Sequence, residues 1–324
     1  MTATTRFKRA LRVLLGSEAE AEALGAAPRT LAGSGASDPA GAGVADADAP
    51  TPGEKRIIEL LTDIKGELRG HRRNLESLRI ATTAPVLHEV AGVLADIQLT
   101  APETLRRLAE RKASMARFGD GELRLMTRSE FNLGFQTNSG RLQAALRRTL
   151  VPQPEDGDLL IALPHLFRDA HWSGVWAELW PDVRALLDPA TTYGNAHITR
   201  PNFFRTHGQA GVEMWREVWR DSSVAVITGI GARFDVIPEL FDSAASVERI
   251  DAPATDAFDA LPSLIEAAEA SDADIFLLAL GPSATVLARE LAARGRRALD
   301  VGHISASHRT VFAGAGRPEH QTGG

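Results

Sequence analysis

Along Glu54–Ile80, Ile57, Leu61, Ile64, Leu68, His71, Leu75 and Leu78 recur in alternating steps of four and three, with Lys65, Glu67 and Arg72 off that line. Such steps form the heptad seam of a helix, which either pairs with a second chain or packs on its own domain. Gly66 and Gly70 weaken the isolated helix, and His71 sits on the seam, so the residues leave both uses open. Pro85 breaks the pattern, and a second amphipathic helix is expected over Val86–Ile97. From Thr100 the pattern changes to short apolar runs alternating with amphipathic stretches. Thr100 is placed to cap a helix to about Arg111, with Pro102 in its first turn and Glu103 three residues after the cap.

Ala113–Ala116 reads as a strand entering Arg117-Phe118-Gly119-Asp120-Gly121-Glu122, and Leu123–Thr127 as the start of a helix. Further helices are expected over Arg141–Leu150, Trp172–Leu187, Val212–Arg220, Ile237–Ser243, Ala257–Ala270 and Ser283–Arg294. Strands are expected at Leu159–Leu163, Val224–Thr228, Val247–Asp251, Ile275–Leu280 and Ala298–Val301. This alternation predicts an α/β fold: a Rossmann-like, mostly parallel sheet flanked by helices, with an N-terminal helical or coiled-coil extension. Trp172, Trp176, Leu179 and Trp180 share a helix face, which assigns them to the core rather than to a stacking platform.

Composition divides the chain further. Met1–Gly16 carries Arg6, Lys8, Arg9 and Arg12 and no acid, among Leu11, Val13, Leu14 and Leu15. It reads as a short exposed helix or tail, or as a basic amphipathic helix on an anionic membrane surface. Ala, Gly, Ser, Asp and Pro dominate Glu18–Pro52, a linker composition. The expected division is 1–52 basic segment and linker, 53–99 helical, 100–312 α/β domain and 313–324 tail. A 324-residue chain with 44% hydrophobic and 24% charged residues is ordinary for a globular protein. A net charge of −6 argues against general nucleic-acid binding, and the absence of cysteine excludes disulfides and thiolate metal sites. No apolar run reads as long enough to span a bilayer, and no signal peptide is evident. A cytoplasmic location is expected, peripheral at the inner membrane face if residues 1–16 bind lipid.

The candidate chemistry lies where strands end. Asp120 and Glu122 stand two positions apart on a glycine-containing turn after a strand, the edge at which open α/β sheets bind ligands. Two such carboxylates can reach one hard cation, Mn²⁺ or Mg²⁺, and Gly119 and Gly121 let backbone approach a ligand. Asp-Gly is also ordinary turn chemistry, and Asp120 could simply cap the next helix. Gly229 with Gly231, and Gly281 with Ser283, are glycine turns after strands; the second opens a helix whose N-terminus could hold a phosphate. Thr199 and Arg200, before Pro201, could form a phosphate clamp or a structural ion pair. Asp300 and His303 end the last strand, where His303 could donate to phosphate, bind metal or act as a base.

Five segments stand in order: Arg-Phe-Gly-Asp-Gly-Glu (117–122), Ile-Thr-Arg-Pro (198–201), Arg-Ile-Asp-Ala-Pro-Ala (249–254), Ala-Leu-Gly-Pro-Ser-Ala-Thr-Val-Leu-Ala (279–288) and Asp-Val-Gly-His-Ile (300–304). The set, spanning about Thr100–Phe312, resembles the GT-D family of glycosyltransferases, bacterial enzymes with a Rossmann-like fold and a D-x-E motif. The resemblance implies transfer of a sugar from a nucleotide diphosphate sugar, usually a UDP-sugar, to a glycan or glycoprotein acceptor. It gives Asp120 and Glu122 to the divalent metal and the diphosphate. Asp300, His303 and Asp235 are the candidate general bases. Arg117, Gly119, Gly121, Thr199, Arg200, Gly229, Gly281 and Ser283 are the expected substrate-binding residues.

The chain departs from the family pattern at Ser305 and Ser307, where acids often stand, at Thr228–Asp235, and at Asp256-Ala257-Phe258 in place of Asn-Ala-Phe. These departures bear on the acceptor and on the base. The expected partners are a nucleotide-sugar donor, an acceptor glycan and, through residues 54–80, a second copy of the chain. Two other classes stay open: a different metal-dependent phospho- or nucleotidyltransferase, and a non-catalytic coiled-coil scaffold with a degenerate α/β domain.

Overall fold

A computed structural model describes residues 51–167, 169–232 and 234–315. The basic segment 1–16, nearly all of the linker and most of the 313–324 tail lie outside the described residues. The chain forms two compact units, Met1–Leu78 and Arg79–Gly324. A single helix, α1 (Pro52–Ile97), runs through both and does not stop at Pro85. The expected second helix is therefore the continuation of the first.

In the first unit α1 starts at Thr51, whose hydroxyl and N–H both donate to Glu54 at 2.8 Å. The seam residues Ile57, Ile64, Leu68, Leu75 and Leu78 are 44–67% exposed. In the second unit Leu87, Val90, Leu94 and Ile97 recur every three or four residues and are buried in the α/β core. That anchoring is what carries the helix past Pro85 despite the hydrogen bond a proline removes. The compact α/β unit thus begins at Arg79, earlier than the change of pattern at Thr100 suggests. By length and composition α1 would also allow a bilayer crossing, which the sequence reading had not found.

The second unit continues with α2 (Ala101–Glu110), β1 (Ser114–Arg117), α3 (Asp120–Thr127), α4 (Gly140–Leu150), β2 (Leu159–Leu163), α5 (Ala170–Arg184), β3 (Gly194–Asn195) and α6 (Pro201–Val218). Then follow β4 (Ser223–Gly229), α7 (Pro238–Phe241), β5 (Ser246–Ala252), α8 (Leu261–Ala270), β6 (Ile275–Ala279), α9 (Pro282–Ala292), β7 (Ala298–Asp300) and α10 (Ile304–Phe312). Thr100 caps α2 with the expected box: its side chain accepts from the Glu103 N–H while Glu103 accepts from the Thr100 N–H at 2.9 Å.

All strand pairs are parallel, in the order β3-β2-β1-β7-β6-β4-β5. Alternate strand residues enter two cores, one on each face of the sheet. Ala116, Ile161, Ala225, Ile227, Phe276 and Leu278 pack with α1, α4, α5 and α9. Met115, Leu160, Val224, Val226, Ile275 and Leu277 pack with α2, α6 and α10. A sheet covered on both faces explains why its strands read as nearly continuous apolar runs. After β3 the chain crosses to the far side of β1 and builds the other half of the sheet. The order therefore turns beside β1, the position at which doubly wound sheets open a crevice at their C-terminal edge.

Beyond α1, the largest departures from expectation are in three elements. α6 starts at Pro201, eleven residues before Val212, and is bent at Gly208, whose φ is +52°. Helix α10 and the two-residue strand β3 are additional. On the Trp face of α5, Trp176, Leu179 and Trp180 are buried core as expected, whereas Trp172 is only partly buried.

Candidate active site

The helix after β1 begins earlier than the sequence suggests, so Asp120 and Glu122 both lie in the first turn of α3, with Gly119 as its N-cap. A carboxylate there is favoured by the unpaired N–H groups and the positive end of the helix dipole. The two acids then part. Glu122 is buried, and its Oε2 accepts from the Gly119 N–H at 2.8 Å. A Cβ at Gly119 would stand 2.8 Å from that oxygen, so glycine is what permits the closure. Glu122 Oε1 makes no hydrogen bond among the described residues. Asp120 is the open member, with Oδ2 3.2 Å from Arg124 Nη1 and 3.7 Å from His171 Nε2. A Cβ at Gly121 would meet Leu133 at an ordinary 3.5 Å, so the backbone there does not demand glycine.

At the end of β7 Asp300 is fully buried. Its Oδ1 lies 3.5 Å from Arg117 Nη2 and accepts from the Gly302 N–H at 3.1 Å. Thr285 of α9 donates to the Arg117 carbonyl at 2.9 Å and stands 3.2 Å from Asp300 Oδ2. Burial pushes Asp300 up to about 6, and the nearby Glu122 charge adds to that, against the pull of Arg117. Gly302 has φ +47°, and the Arg117 guanidinium fills the space a side chain there would need. Asp300 thus holds Arg117 rather than facing a substrate. His303, two residues after Val301, is exposed at the start of α10. Asp235 is ion-paired with Arg309.

Beyond β3, Thr199 is buried and its hydroxyl has no partner among the described residues, while Arg200 caps α6. Between them and β2 lies a cluster that the sequence did not reveal. His197 Nδ1 accepts from the His165 N–H at 2.9 Å, which leaves the proton on Nε2. Its ring meets Phe167 and Trp172 edge-on, each at 4.8 Å. Burial, with Arg200 and Arg117 nearby, pushes His197 down to about 3, so it is a neutral imidazole throughout the physiological range. His171 packs edge-on against Trp172 at 5.3 Å. These residues come from two strand ends and a helix start, and no spacing links them in the sequence.

The glycine turns on the other half of the sheet make contacts of their own. At Gly281, φ +57°, a Cβ would stand 2.6 Å from the Phe135 ring, which covers the start of α9. Ser283 is buried and donates to Gln136 Oε1 at 3.0 Å. Asp256, in the left-handed region, pins that loop by accepting from the Thr137 N–H at 2.7 Å. The Gly229 carbonyl accepts from Arg249 at 3.0 Å. Among the described residues no three His, Asp or Glu side chains are already gathered as a metal cluster.

Residues 115–315 match the family described as "Glycosyltransferase GT-D fold". The "Glycosyltransferase GlyD" of Streptococcus pneumoniae serotype 4 is 29% identical over 226 residues, 66% of this chain and 27% of that protein. The "Probable glycosyl transferase Gly" of Streptococcus gordonii is 30% identical over 67% of this chain and 33% of that protein. The chain therefore spans a third or less of the length of these curated relatives. A solved structure of the domain of unknown function 1792, described as having a distinct glycosyltransferase fold, superposes with TM-score 0.64 at 27% identity. The alignment covers 72% of this chain and 86% of that one. A second, described as a new glycosyltransferase of that domain type from Streptococcus sanguinis, gives 0.59 at 28% identity, over 68% and 85%.

Proposed function

The chain belongs to the glycosyltransferase GT-D family, and on that premise we propose that it moves a sugar from a nucleotide diphosphate sugar, with UDP as the nucleotide, to a glycan or glycoprotein hydroxyl in a metal-dependent reaction. One observation carries the reading: the open Asp120 carboxylate and the Glu122 Oε1 share one helical turn at the C-terminal end of β1, beside the point where the strand order turns. Their oxygen donors fit Mn²⁺ or Mg²⁺, which carboxylates hold together with substrate phosphates. When bound, such an ion would neutralise the charge that grows on the leaving diphosphate.

The rest of the reaction falls to the chain's own groups. The Arg200 guanidinium, at the start of α6, offers a planar fork to the diphosphate. Arg117, held by Asp300, adds fixed positive potential at the β1 end. Neutral His197 offers its Nε2–H as a hydrogen-bond donor and carries no charge. The acceptor hydroxyl must give up its proton to a base as the new bond forms. His303 and Asp235 are the candidates for that role that lie outside the buried interior, whereas Asp300 is fully buried.

The exposed seam of residues 54–80 supports pairing with a second copy, and residues 1–16 supply positive charge for an anionic membrane face of the cytoplasm. Incubating the full chain with Mn²⁺, a panel of nucleotide sugars and a panel of glycan acceptors tests the reading. Release of the nucleoside diphosphate with wild type and its loss in Asp120→Asn are expected. Release of pyrophosphate would indicate a nucleotidyltransferase instead. No binding of any nucleotide sugar would leave a scaffold.

A further inference from the structure

The seam on the first half of α1 has a direction written into its flanks. Its steps start with four, so Ile57, Ile64, His71 and Leu78 take the d positions of a heptad and Leu61, Leu68 and Leu75 the a positions. Ile57, Ile64, Leu68, Leu75 and Leu78 are exposed in the single chain, as is Leu60 beside them. An apolar stripe left open in this way marks an interaction surface. Gly66 and Gly70 fall at f and c, on the outer side, where they weaken the lone helix without notching the seam.

Each flank of the seam carries charge of one sign. Ile58, Lys65 and Arg72 stand at e; Leu60, Glu67 and Asn74 stand at g. In a parallel pair a g residue faces the next e residue of its neighbour, so Glu67 meets Arg72 of the second copy. In an antiparallel pair e faces e and g faces g. Lys65 and Arg72 would then meet only cations or Ile58, and Glu67 only Leu60, Asn74 or its own counterpart. Opposite charges therefore face each other across the seam in the parallel arrangement alone. His71 sets the register. Aligned, the two imidazoles share one layer, where one can donate to the other. A shift of one heptad buries each against Ile64 or Leu78 with no polar partner.

We propose that residues 57–78 pair parallel and in register with a second copy of the chain, the direction being set by Glu67–Arg72 contacts between copies. The inference rests on the pairing reading above and adds its direction. Exposed charge pairs add little affinity, but they discriminate between arrangements that bury the same apolar seam. A parallel pair brings the two Leu78 ends together, so two copies of the α/β unit that follows are tethered at one end of it.

No cysteine occurs in the 324 residues, so an introduced thiol reports on its own position alone. Full chains carrying Ile57→Cys and Leu75→Cys are mixed, oxidised mildly in a glutathione buffer, and their disulfides identified by mass. In a parallel pair the two positions lie about 27 Å apart along the helix, far beyond the reach of a disulfide; in an antiparallel pair they share a layer. Disulfides joining 57 to 57 and 75 to 75 are expected. In sedimentation of the cysteine-free chain, Glu67→Lys is expected to weaken pairing about fivefold, and Glu67→Lys with Arg72→Glu to restore it to within about twofold. A dominant 57-to-75 disulfide, or a Glu67→Lys change that the second substitution does not rescue, overturns the direction and leaves pairing standing. A monomeric wild type, or an assembly that yields no disulfide at either position, overturns pairing through the seam and the direction with it.

Discussion

The Arg117 guanidinium occupies the space that a side chain at Gly302 would need, and Gly302 holds φ +47°. Gly302→Ala is therefore expected to add a left-handed backbone cost of about 1–2 kcal/mol to the displacement of a buried cation from Asp300. Gly295→Ala is the control, since Gly295 has φ +72° with no atom within 4 Å of its Cβ position. Denaturant midpoints should fall further for Gly302→Ala than for Gly295→Ala. Equal losses would show that Arg117 yields without cost.

Because burial outweighs its Arg117 partner, Asp300 should make stability depend on pH in the direction opposite to a carboxylate held below its ordinary value. Its folded value is about 6, against an ordinary 3.8. Between those values the folded chain holds more protons than the unfolded one, so stability falls as pH rises through the window. Below about 3.8 the carboxyl is protonated in both states. Asp300→Asn should thus gain on wild type between pH 4 and 6, on the order of 3 kcal/mol in all, and run parallel above that. A flat difference across the window would contradict the shift.

Arg289 and Asp156 form a second buried ion pair, Nε to Oδ1 at 2.6 Å, between α9 and the turn before β2. Arg289 Nη1 and Nη2 have no partners among the described residues. Removing one charge of a buried pair strands the other, at a cost of about 3–5 kcal/mol. Asp156→Ala should lower the thermal midpoint far more than loss of the exposed Arg148–Glu155 pair, which is worth at most about 1 kcal/mol. Similar shifts for the two variants would mean that water reaches Arg289.

Two truncations should separate α1's roles. A chain starting at Arg79 keeps Leu87, Val90, Leu94 and Ile97 and should fold. One starting at Thr100 loses four buried aliphatic residues, about 1.5–3 kcal/mol each, comparable with the whole stability of a domain. Circular dichroism melts of both chains decide this. Sedimentation of the Arg79 chain against the full chain reads the seam: identical assembly would remove any pairing role for residues 54–78.

Much of the fold was legible because a doubly covered parallel sheet writes each strand as an apolar run between breakers, as at Leu159–Leu163. What failed was local: Pro85 outvoted by four buried residues beyond it, Gly208 and Gly211 hiding the first half of α6, and α10 disguised by its Ser, His and Thr. The site was half legible. Asp120 stood out because motif and strand end coincide in one stretch. His165, His171, Trp172 and His197 meet only through the pairing of β2 with β3, which no spacing encodes. At the Gly281 turn, Phe135 from a loop far away in sequence stands against the backbone and Ser283 donates to Gln136, contacts that no spacing shows.

Strand β1 pairs with β7 on the side where the order turns, and the Ala298 N–H reaches the Ser114 hydroxyl across 184 residues. A ribosome adding about 5–20 residues per second needs roughly 10–40 seconds to supply that partner. Throughout that interval the nascent chain carries the Asp120 turn on a strand with one bare hydrogen-bonding edge. Asp300, which holds Arg117 in place, lies on β7 and emerges late in the domain, so the chemistry of the β1 end is assembled only once β7 has been made. A stall upstream of β7 would release a chain with the motif intact and the apparatus around it missing.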